Sequence, residues 1–387
     1  MEDRLSILPD SILCRILSFL PTKQAVATSI LSKKWKPLWR SVTTLHFDDA
    51  KYYTTSKEVY ARFVQSVYAV ILSRDQHQPI NTFRLSCICS PCLDMAHVKV
   101  WLNAAAQRGV QHLDISFSFE RLSSSTTIFT CKTLVVLKLK NLELKSLNFS
   151  VDLPFLKTLH LEQLVFPNHG CLAELLSGCP ALVNLKVGRL YFPCFLIGKD
   201  EFKSLPKLVR AEISFLHKRL LKVVKNVEFL RLDAIGWGFL HDQGKDPQFS
   251  PMLHNLTRLE LFYRHYNDNW LHLVEFLKYC PKLQVLLINQ SHYQSGAFKA
   301  IKELGDWQYM PSAPECILLH LKSCYLNDYR GTEGELQFAR YILQNGRFLK
   351  RMTICSDSSV NQQGKRKNFK KLSSCTRSST TCKLSFN

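Results

Sequence analysis

The sequence predicts an α/β fold, with a small helical domain at the amino terminus followed by a long repetitive solenoid. Three observations support this prediction. Apolar residues recur at helical spacing from Leu8 to Trp39. A leucine pattern then recurs between residues 110 and 310. Helical segments that end in proline-containing turns lead into several copies of this pattern, so that helices and strands alternate along the chain.

The amino-terminal stretch predicts three short helices. Asp10 is a suitable N-cap for the first helix, and Pro21 must end it. Thr22 can cap the second helix, and Ser32 begins a third helix that carries Trp35. Three short helices within about forty residues form a core that is small for an independent domain. We therefore expect this domain to be supported by something outside it.

The first of these helices carries more apolar side chains than one small core can bury. Its apolar residues form two rows that point in different directions, so both rows cannot face the same interior. We expect one row to pack inside the helical domain and the other row to bind a partner. The rows are Ile12, Ile16 and Leu20 on one side and Leu13 and Leu17 on the other.

The repeat has the form Leu-x-x-Leu-x-Leu. Its start-to-start spacings run from 19 to 29 residues, which is the period of an irregular leucine-rich repeat with one strand and one return segment per turn. A single unit cannot bury its leucines alone, whereas stacked units form one continuous core. The clear copies begin at Leu134, Leu156 and Leu182, and the weaker copies begin at Val110, Leu208, Val227, Leu256 and Leu283.

One position in each predicted strand, between the second and third leucines, points away from the core and lines the concave face. A nucleic-acid groove would be basic throughout, but the side chains at this position have both signs of charge. We therefore expect the face to bind a protein. The candidate substrate-binding residues are Lys138, His160, Lys186, Glu212, Arg231 and Glu260, flanked in the series by Asp114 and Leu287.

The chain has a formal net charge of +20, and part of this charge is concentrated at the carboxyl terminus. Residues 356–387 contain seven basic residues and one acid, Asp357, and they are rich in Ser and Thr. This composition predicts a disordered tail. The segment GKRKNFKK at 364–371 is either a nuclear import signal or a solvated basic stretch. The remaining charge is spread along the chain and marks no nucleic-acid site.

The termini and cysteines favour an intracellular protein, in the cytoplasm, the nucleus or both. The first residues, MEDRLSILPD, carry acidic residues and no extended apolar region, so we expect no secretory signal, and no apolar run is long enough to span a bilayer. Its 14 cysteines are therefore expected to be free thiols. Cys87, Cys89 and Cys92, followed by His97, would make a weak zinc motif because no second ligand pair accompanies them, and we expect no metal site.

Residues 3–45 resemble the F-box domain in the form common in plant proteins, notably in LPD, LSFLPTK and LSKKW. The resemblance implies docking onto a Skp-type adaptor and, through it, onto cullin in an SCF-type ubiquitin ligase. It also implies which residues dock, although Trp35 and Trp39 could equally belong to the domain core. The candidate adaptor-binding residues are Leu8, Pro9, Ile12, Ile16, Leu17, Leu20, Trp35 and Trp39.

A second resemblance covers the segment that follows the repeats. The sequences PEC, HLKS, YRGTEGE, ARYIL and FLKRMTI resemble the FBD domain of plant F-box proteins. We expect this segment to form a strand, a helix that begins at Thr332 or Glu333 and ends at Asn345-Gly346, and a last strand. Our preferred interpretation is a cap on the carboxyl-terminal end of the solenoid.

The prediction is thus an α/β chain with an N-terminal three-helix F-box, an irregular leucine-rich-repeat solenoid and a C-terminal FBD cap. The predicted parts are the F-box (1–48), a linker and N-terminal cap of the solenoid (49–109), the leucine-rich repeats (110–310), the FBD domain (311–355) and the basic tail (356–387).

The sequence contains no glycine-rich phosphate loop, zinc-protease motif or nucleophile elbow. We therefore expect a non-catalytic chain that needs no cofactor. The resemblance implies the substrate-recognition subunit of an SCF-type ubiquitin ligase, which binds the adaptor through the F-box and a target protein through the repeats. Two alternatives remain: a non-ligase leucine-rich-repeat scaffold and, less favoured, a nuclear protein associated with nucleic acid.

Overall fold

The computed structural model describes residues 7–49, 57–87, 94–122, 127–144, 150–193, 202–214, 220–234, 252–263, 270–290 and 312–387. The chain divides into two compact units, Met1–Glu201 and Phe202–Asn387. Each unit is a mixed α/β structure built on parallel strands.

The first unit begins with three short helices and continues as a stack of parallel strands. The amino-terminal helices are α1 (Asp10–Leu17), α2 (Thr22–Ala27) and α3 (Trp35–Leu38). The strands are β1 (Thr44–Asp48), β2 (Thr82–Cys87), β3 (His112–Leu122), β4 (Val136–Leu144), β5 (Thr158–Val165), β6 (Asn184–Val187) and β7 (Leu190–Tyr191). The longer helices are α4 (Lys57–Leu72), α5 (Met95–Gln107) and α6 (His169–Ser177). Strands β1 to β6 pair in chain order, and β7 pairs with β5.

The second unit repeats this plan without an amino-terminal helical domain. Its strands, which also pair in chain order, are β8 (Arg210–Ile213), β9 (Phe229–Ala234), β10 (Arg258–Tyr263), β11 (Val285–Gln290), β12 (Ser323–Tyr329), β13 (Arg351–Ser356) and β14 (Lys383–Phe386). Its helices are α7 (Leu220–Val223), α8 (Trp270–Leu277), α9 (Glu315–Leu319), α10 (Glu333–Asn345) and α11 (Gln362–Ser373).

The register of the strands places the repeated leucines side by side. Between β4 and β5, for example, Leu137 lies beside Leu159 and Leu139 lies beside Leu161, and all four are buried. The eight predicted copies of the pattern coincide with strands β3 to β6 and β8 to β11. The prediction of parallel strands with a shared leucine core is therefore confirmed. The opposite face of the strands stays partly exposed, and we call it the open face.

The strand array begins earlier than the sequence analysis predicted. Strands β1 and β2 bury Leu45 and Phe47, and Phe83 and Leu85, in the same alternating way as the later strands. Aromatic residues replace leucine in both copies, so the leucine pattern did not detect them. The segment 49–109 therefore contributes α4, β2 and α5 to the array, and its role as a cap of the solenoid remains a prediction.

The helical domain covers the edge of β1 that does not pair with β2. Thr22 is the buried first residue of α2, and its hydroxyl oxygen accepts a hydrogen bond of 2.7 Å from the backbone N–H of His46 in β1. An uncovered edge strand would leave such groups unpaired. The sequence assigned the Thr22 hydroxyl to helix capping, but the N-cap of α2 is Pro21, and that of α1 is Pro9 rather than Asp10.

Replacing Thr22 with valine should lower the free energy of unfolding by about 1–3 kcal/mol, because the N–H of His46 would stay buried without its acceptor. Thr28→Val is the matched control, since the Thr28 hydroxyl bonds only to the nearby carbonyl of Ala25. Chemical unfolding of the two variants measures the difference. Equal losses would contradict the role of Thr22 at the strand edge.

Buried cysteines occupy the turns that lead from helices into strands. The Cys179 thiol donates to the carbonyl of Leu175 at 3.2 Å, and the Cys280 thiol donates to the carbonyl of Phe276 at 3.7 Å. Both carbonyls lie in the last turn of a helix, where backbone acceptors lack helical partners. Burial raises the pKa of Cys179 to about 12, so this thiol stays protonated. No disulfide links cysteines in the part of the chain that the structure describes.

The prediction of a disordered tail was wrong, because residues 356–387 form α11 and β14. Strand β14 pairs in parallel with β13, where Ile354 lies beside Phe386. Leu372 of α11 is fully buried, and the buried hydroxyl of Ser379 donates to the carbonyl of Leu349 at 2.7 Å. The composition was misleading because a few well-placed residues anchor the segment, while its basic residues lie mostly at the surface.

A glycine turn between β12 and α10 fits against α11. Gly331 has a φ of +81°, which suits glycine. The side-chain amide of the buried Asn368 on α11 donates to the carbonyl of Arg330 at 3.2 Å. A Cβ at position 331 would collide with the Asn368 side chain. The first glycine in YRGTEGE, Gly331, therefore allows the tail helix to pack against this turn.

Gly331→Ala should lower the free energy of unfolding by about 2–4 kcal/mol, as the sum of the cost of the left-handed backbone and of overpacking. Gly109→Ala is the matched control, because Gly109 has a φ of +74° but no atom within 4 Å of the Cβ position. Its cost should be about 1–2 kcal/mol from the backbone alone. If urea unfolding gave equal losses for both variants, the close packing of α11 would be contradicted.

Among the residues that the structure describes, no helix is long and apolar enough to cross a lipid bilayer.

Candidate functional site

The helical domain sorts the two apolar rows of α1 as its geometry requires. Leu13 and Leu17 are buried in a core that also contains Ala25, Leu38 and Val42. In the other row, Ile12 is 43% exposed and Ile16 is 41% exposed, whereas Leu20 is partly buried and packs against the core. The prediction that the second row lies outside the core is therefore confirmed for Ile12 and Ile16 and wrong for Leu20.

Other apolar side chains of the same domain are also exposed, and together with Ile12 and Ile16 we call them the apolar surface. Phe19 lies three residues beyond Ile16 and is 79% exposed. Ile30, the last residue of the short 3-10 helix that follows α2, is 86% exposed. Solvent-exposed apolar side chains that cluster in one small domain indicate an interaction site. The members of the apolar surface are Ile7, Ile12, Ile16, Phe19, Ile30 and Leu31.

The candidate adaptor-binding residues divide between this surface and the core. Pro9 is exposed, whereas Leu8, Leu20 and Trp39 are partly buried and pack against the core. Leu17 is 1% exposed and Trp35 is 6% exposed, so their assignment to the docking surface is corrected. Both side chains belong to the three-helix core. Leu17 does so because it follows Leu13 by four residues on the same face of α1.

Sequence reasoning missed four members of the apolar surface. Ile7 precedes the first helix, and Phe19 follows Ile12 and Ile16 at helical spacing, a signal that could have identified it. In the sequence, Ala25, Val26, Ile30 and Leu31 favour a second helix that continues through Leu31. That helix ends at Ala27, and the change to a tighter turn directs these two side chains outward. No periodic rule predicts this change of direction.

Polar contacts hold α1 in place beside this surface. The Lys34 ammonium donates to the carbonyl of Leu8 at 2.8 Å and lies 3.6 Å from the carboxylate of Asp10. The Cys14 thiol lies 3.6 Å from the carbonyl of Leu38 and can donate to it. Burial, and to a lesser extent the charge of Asp10, raises the pKa of the Cys14 thiol. These contacts fix the start of α1 and therefore the direction of its exposed row.

A buried arginine joins the helical domain to the first strands. Arg74 donates to the carbonyls of Trp39 and Pro79, each at 3.4 Å. Burial, together with the nearby charge of Arg108, lowers the pKa of Arg74 to about 10, so it remains a cation at neutral pH. Gln78 adds a hydrogen bond of 3.1 Å to the carbonyl of Ser41. The helical domain is thus fastened to the strand array within the first unit.

The open face carries the candidate substrate-binding residues in register. In the first unit, Lys138 lies beside Asp114 and His160, and His160 lies beside Lys186. In the second unit, the row continues through neighbouring strands in the order Glu212, Arg231, Glu260 and Leu287. These side chains are half-buried, except for the exposed Lys186. The predicted alignment of this position across strands is confirmed within each unit; what it binds remains a prediction.

Several charges on the open face are engaged with one another. Glu212 forms an ion pair of 2.8 Å with Arg210, and Glu260 forms one of 2.6 Å with Arg258. The Arg231 guanidinium lies 3.9 Å from the centre of the Phe262 ring, a distance at which the cation and the ring attract each other. These pairings orient long side chains and leave a patterned, nearly neutral surface on β8 to β10.

The residues of the weak zinc motif do not form a metal site in the described part of the chain. Cys87 is buried at the end of β2, and the His97 ring bonds to the hydroxyl of Tyr68 at 3.0 Å while stacking on Trp101. Residues 89 and 92 lie outside the described residues. The described part holds no group of three or more His, Cys, Asp or Glu that could bind a metal ion.

Family profiles match three parts of the chain. The F-box domain matches residues 5–47, and the FBD domain matches residues 311–354. A profile described as "FBD-associated F-box protein At5g56370, LRR repeats" matches residues 98–205. The F-box match covers α1 to α3 and includes every member of the apolar surface. The repeat match covers strands β3 to β7, where the leucine pattern is clearest.

Relatives that align with nearly the whole chain carry the names of the same three domains. The F-box/FBD/LRR-repeat protein At4g26340 of Arabidopsis thaliana is 30% identical over 99% of this chain and 100% of its own length. The F-box/FBD/LRR-repeat protein At4g00160 of the same plant is 29% identical over 100% of this chain and 94% of its own length. The chain therefore belongs to the family of F-box/FBD/LRR-repeat proteins.

Proposed function

We propose that this chain is the substrate-recognition subunit of an SCF-type E3 ubiquitin ligase. The observation that carries the proposal is the apolar surface of the F-box, where Ile12, Ile16 and Phe19 are exposed beside a filled core. Charged and polar residues would serve better there if this surface faced only water. A Skp-type adaptor is the partner that the F-box implies, and cullin would be reached through it.

The chain's contribution is positional in this proposal. The F-box holds the adaptor, and the open face of the strands holds a target protein. Holding both raises the effective concentration of target lysines beside the ubiquitin-charged enzyme, which supplies the chemistry. The hydrogen bond from Arg74 to the carbonyl of Trp39 supports this role, because it limits the range of positions that the F-box can adopt relative to the strands of the first unit.

The double substitution Ile12→Asp and Ile16→Asp should weaken binding to a purified Skp-type adaptor by about a hundredfold or more. The reason is that two carboxylates would be forced into an apolar interface. Both side chains lie outside the core, so the variant should keep the stability of the parent chain. Binding is measured by calorimetry, and folding by circular dichroism.

Phe155→Asp with Phe348→Asp is the matched control, because both phenylalanines are more than half exposed but lie outside the F-box. This control should bind the adaptor as the parent does. If the variant at Ile12 and Ile16 folded and still bound fully, the docking assignment would be wrong. Reconstituted ubiquitin transfer with adaptor and cullin then separates a ligase subunit from a non-ligase scaffold, which would bind the adaptor without supporting transfer.

A further inference from the structure

The arginines at the start of β8 and β10 are neutralised within their own strands. Arg210 pairs with Glu212 and Arg258 pairs with Glu260, each two residues later on the same face. Arg210 also lies 3.6 Å from the centre of the Phe229 ring on β9. This part of the open face in the second unit therefore offers little unbalanced charge to a partner.

The equivalent positions on β13 and β14 are different. Arg351 and Lys383 lie side by side in register, and both are exposed. The positions two residues later hold Thr353 and Ser385 instead of glutamate. Within the described part of the chain, neither cation forms an ion pair. Adjacent strands lie about 5 Å apart, so two like charges at paired positions repel each other unless a partner supplies the opposite charge.

Two more lysines extend this pair. Lys350 directly precedes β13, and its backbone N–H donates at 2.8 Å to the carbonyl of Lys322, which directly precedes β12. Lys322 is exposed and donates to the neutral side chain of Gln284 at 2.8 Å. Strands β11 to β14 contain one acid, Asp328, which lies near the opposite end of β12. We call the four cations the cationic row: Lys322, Lys350, Arg351 and Lys383.

Uncharged side chains lie on the same face as Arg351 and Lys383. Leu287 of β11 lies beside Tyr325 of β12, and both are half-buried. Further along the same strands, the side-chain amide of Asn327 donates to that of Asn289 at 2.7 Å. An apolar side chain of a partner could pack on Leu287 and Tyr325 while its charged neighbours reach the cationic row.

We propose that this part of the open face binds an acidic segment of the target protein, with an apolar residue beside its Asp or Glu side chains. The inference rests on the proposed function and adds the chemistry of the target. Charge supports this choice, because Arg351 and Lys383 are exposed, adjacent and without an ion pair in the described part of the chain, on the same face as Leu287 and Tyr325. A nucleic acid fits less well, because its phosphates would need cations along the whole face, whereas β8 and β10 carry Glu212 and Glu260.

The test uses the full chain bound to its Skp-type adaptor and a fluorescein-labelled synthetic peptide of about 12 residues. The peptide consists of Asp and Glu around one central Leu. Fluorescence anisotropy at low salt should show binding that weakens about tenfold or more when Arg351→Glu and Lys383→Glu are combined, because attraction becomes repulsion. A peptide with Gln in place of the acids should bind the parent chain no more tightly than the acidic peptide binds the double variant.

The matched control is Lys367→Glu with Lys370→Glu, which makes the same change in net charge at two exposed positions of α11. This control should keep peptide binding within about twofold of the parent. An equal loss in both variants, or stronger binding of a single-stranded oligonucleotide than of the peptide at this face, would overturn the proposal. Adaptor binding of the parent chain is measured in parallel. If the parent binds the adaptor but Arg351→Glu with Lys383→Glu leaves peptide binding unchanged, the acidic-target inference alone is refuted. If the parent does not bind the adaptor, the proposed function is refuted.

Discussion

The described strands bury one side of the array by packing apolar residues, mostly leucine, against those of neighbouring strands, and the rest of the structure depends on this constraint. A stack built in this way needs cover at its outermost strands. In the first unit, the F-box supplies that cover through the hydrogen bond from His46 to Thr22 and the fastening of Trp39 by Arg74. The domain that presents the apolar surface thus also completes the strand array. Its small core is supported from outside, as its size requires.

The leucine pattern was sufficient to predict the parallel strands, because each copy places two residues on the buried side. It failed for β1 and β2, where Phe47 and Phe83 take leucine positions. The tail was mispredicted from composition, since a single buried Leu372 and the amide of Asn368 anchor a helix that otherwise reads as solvated. Composition averages over a segment, whereas packing depends on the few residues that reach the core.

The candidate site was predictable to the extent that helix geometry controls it. The division between Leu13 and Ile12 follows from the direction of side chains on a helix. The outward turn at Ile30 depends on where α2 ends, which tertiary packing decides. On the open face, the strand register could be read from the sequence. The pairing of Arg258 with Glu260 could not, because it depends on side-chain conformation. Local periodicity therefore locates both surfaces, while their chemical character requires the folded chain.

The central claim is that the exposed side of the F-box helices is the adaptor-binding surface. Hydrogen–deuterium exchange of the full chain, with and without a Skp-type adaptor, tests it most directly. When the adaptor binds, exchange should become slower from the start of α1 to Phe19 and around Ile30 and Leu31, and exchange in strands β8 to β14 should stay unchanged. Slower exchange confined to the open face of the strands, with no change in α1, would contradict it.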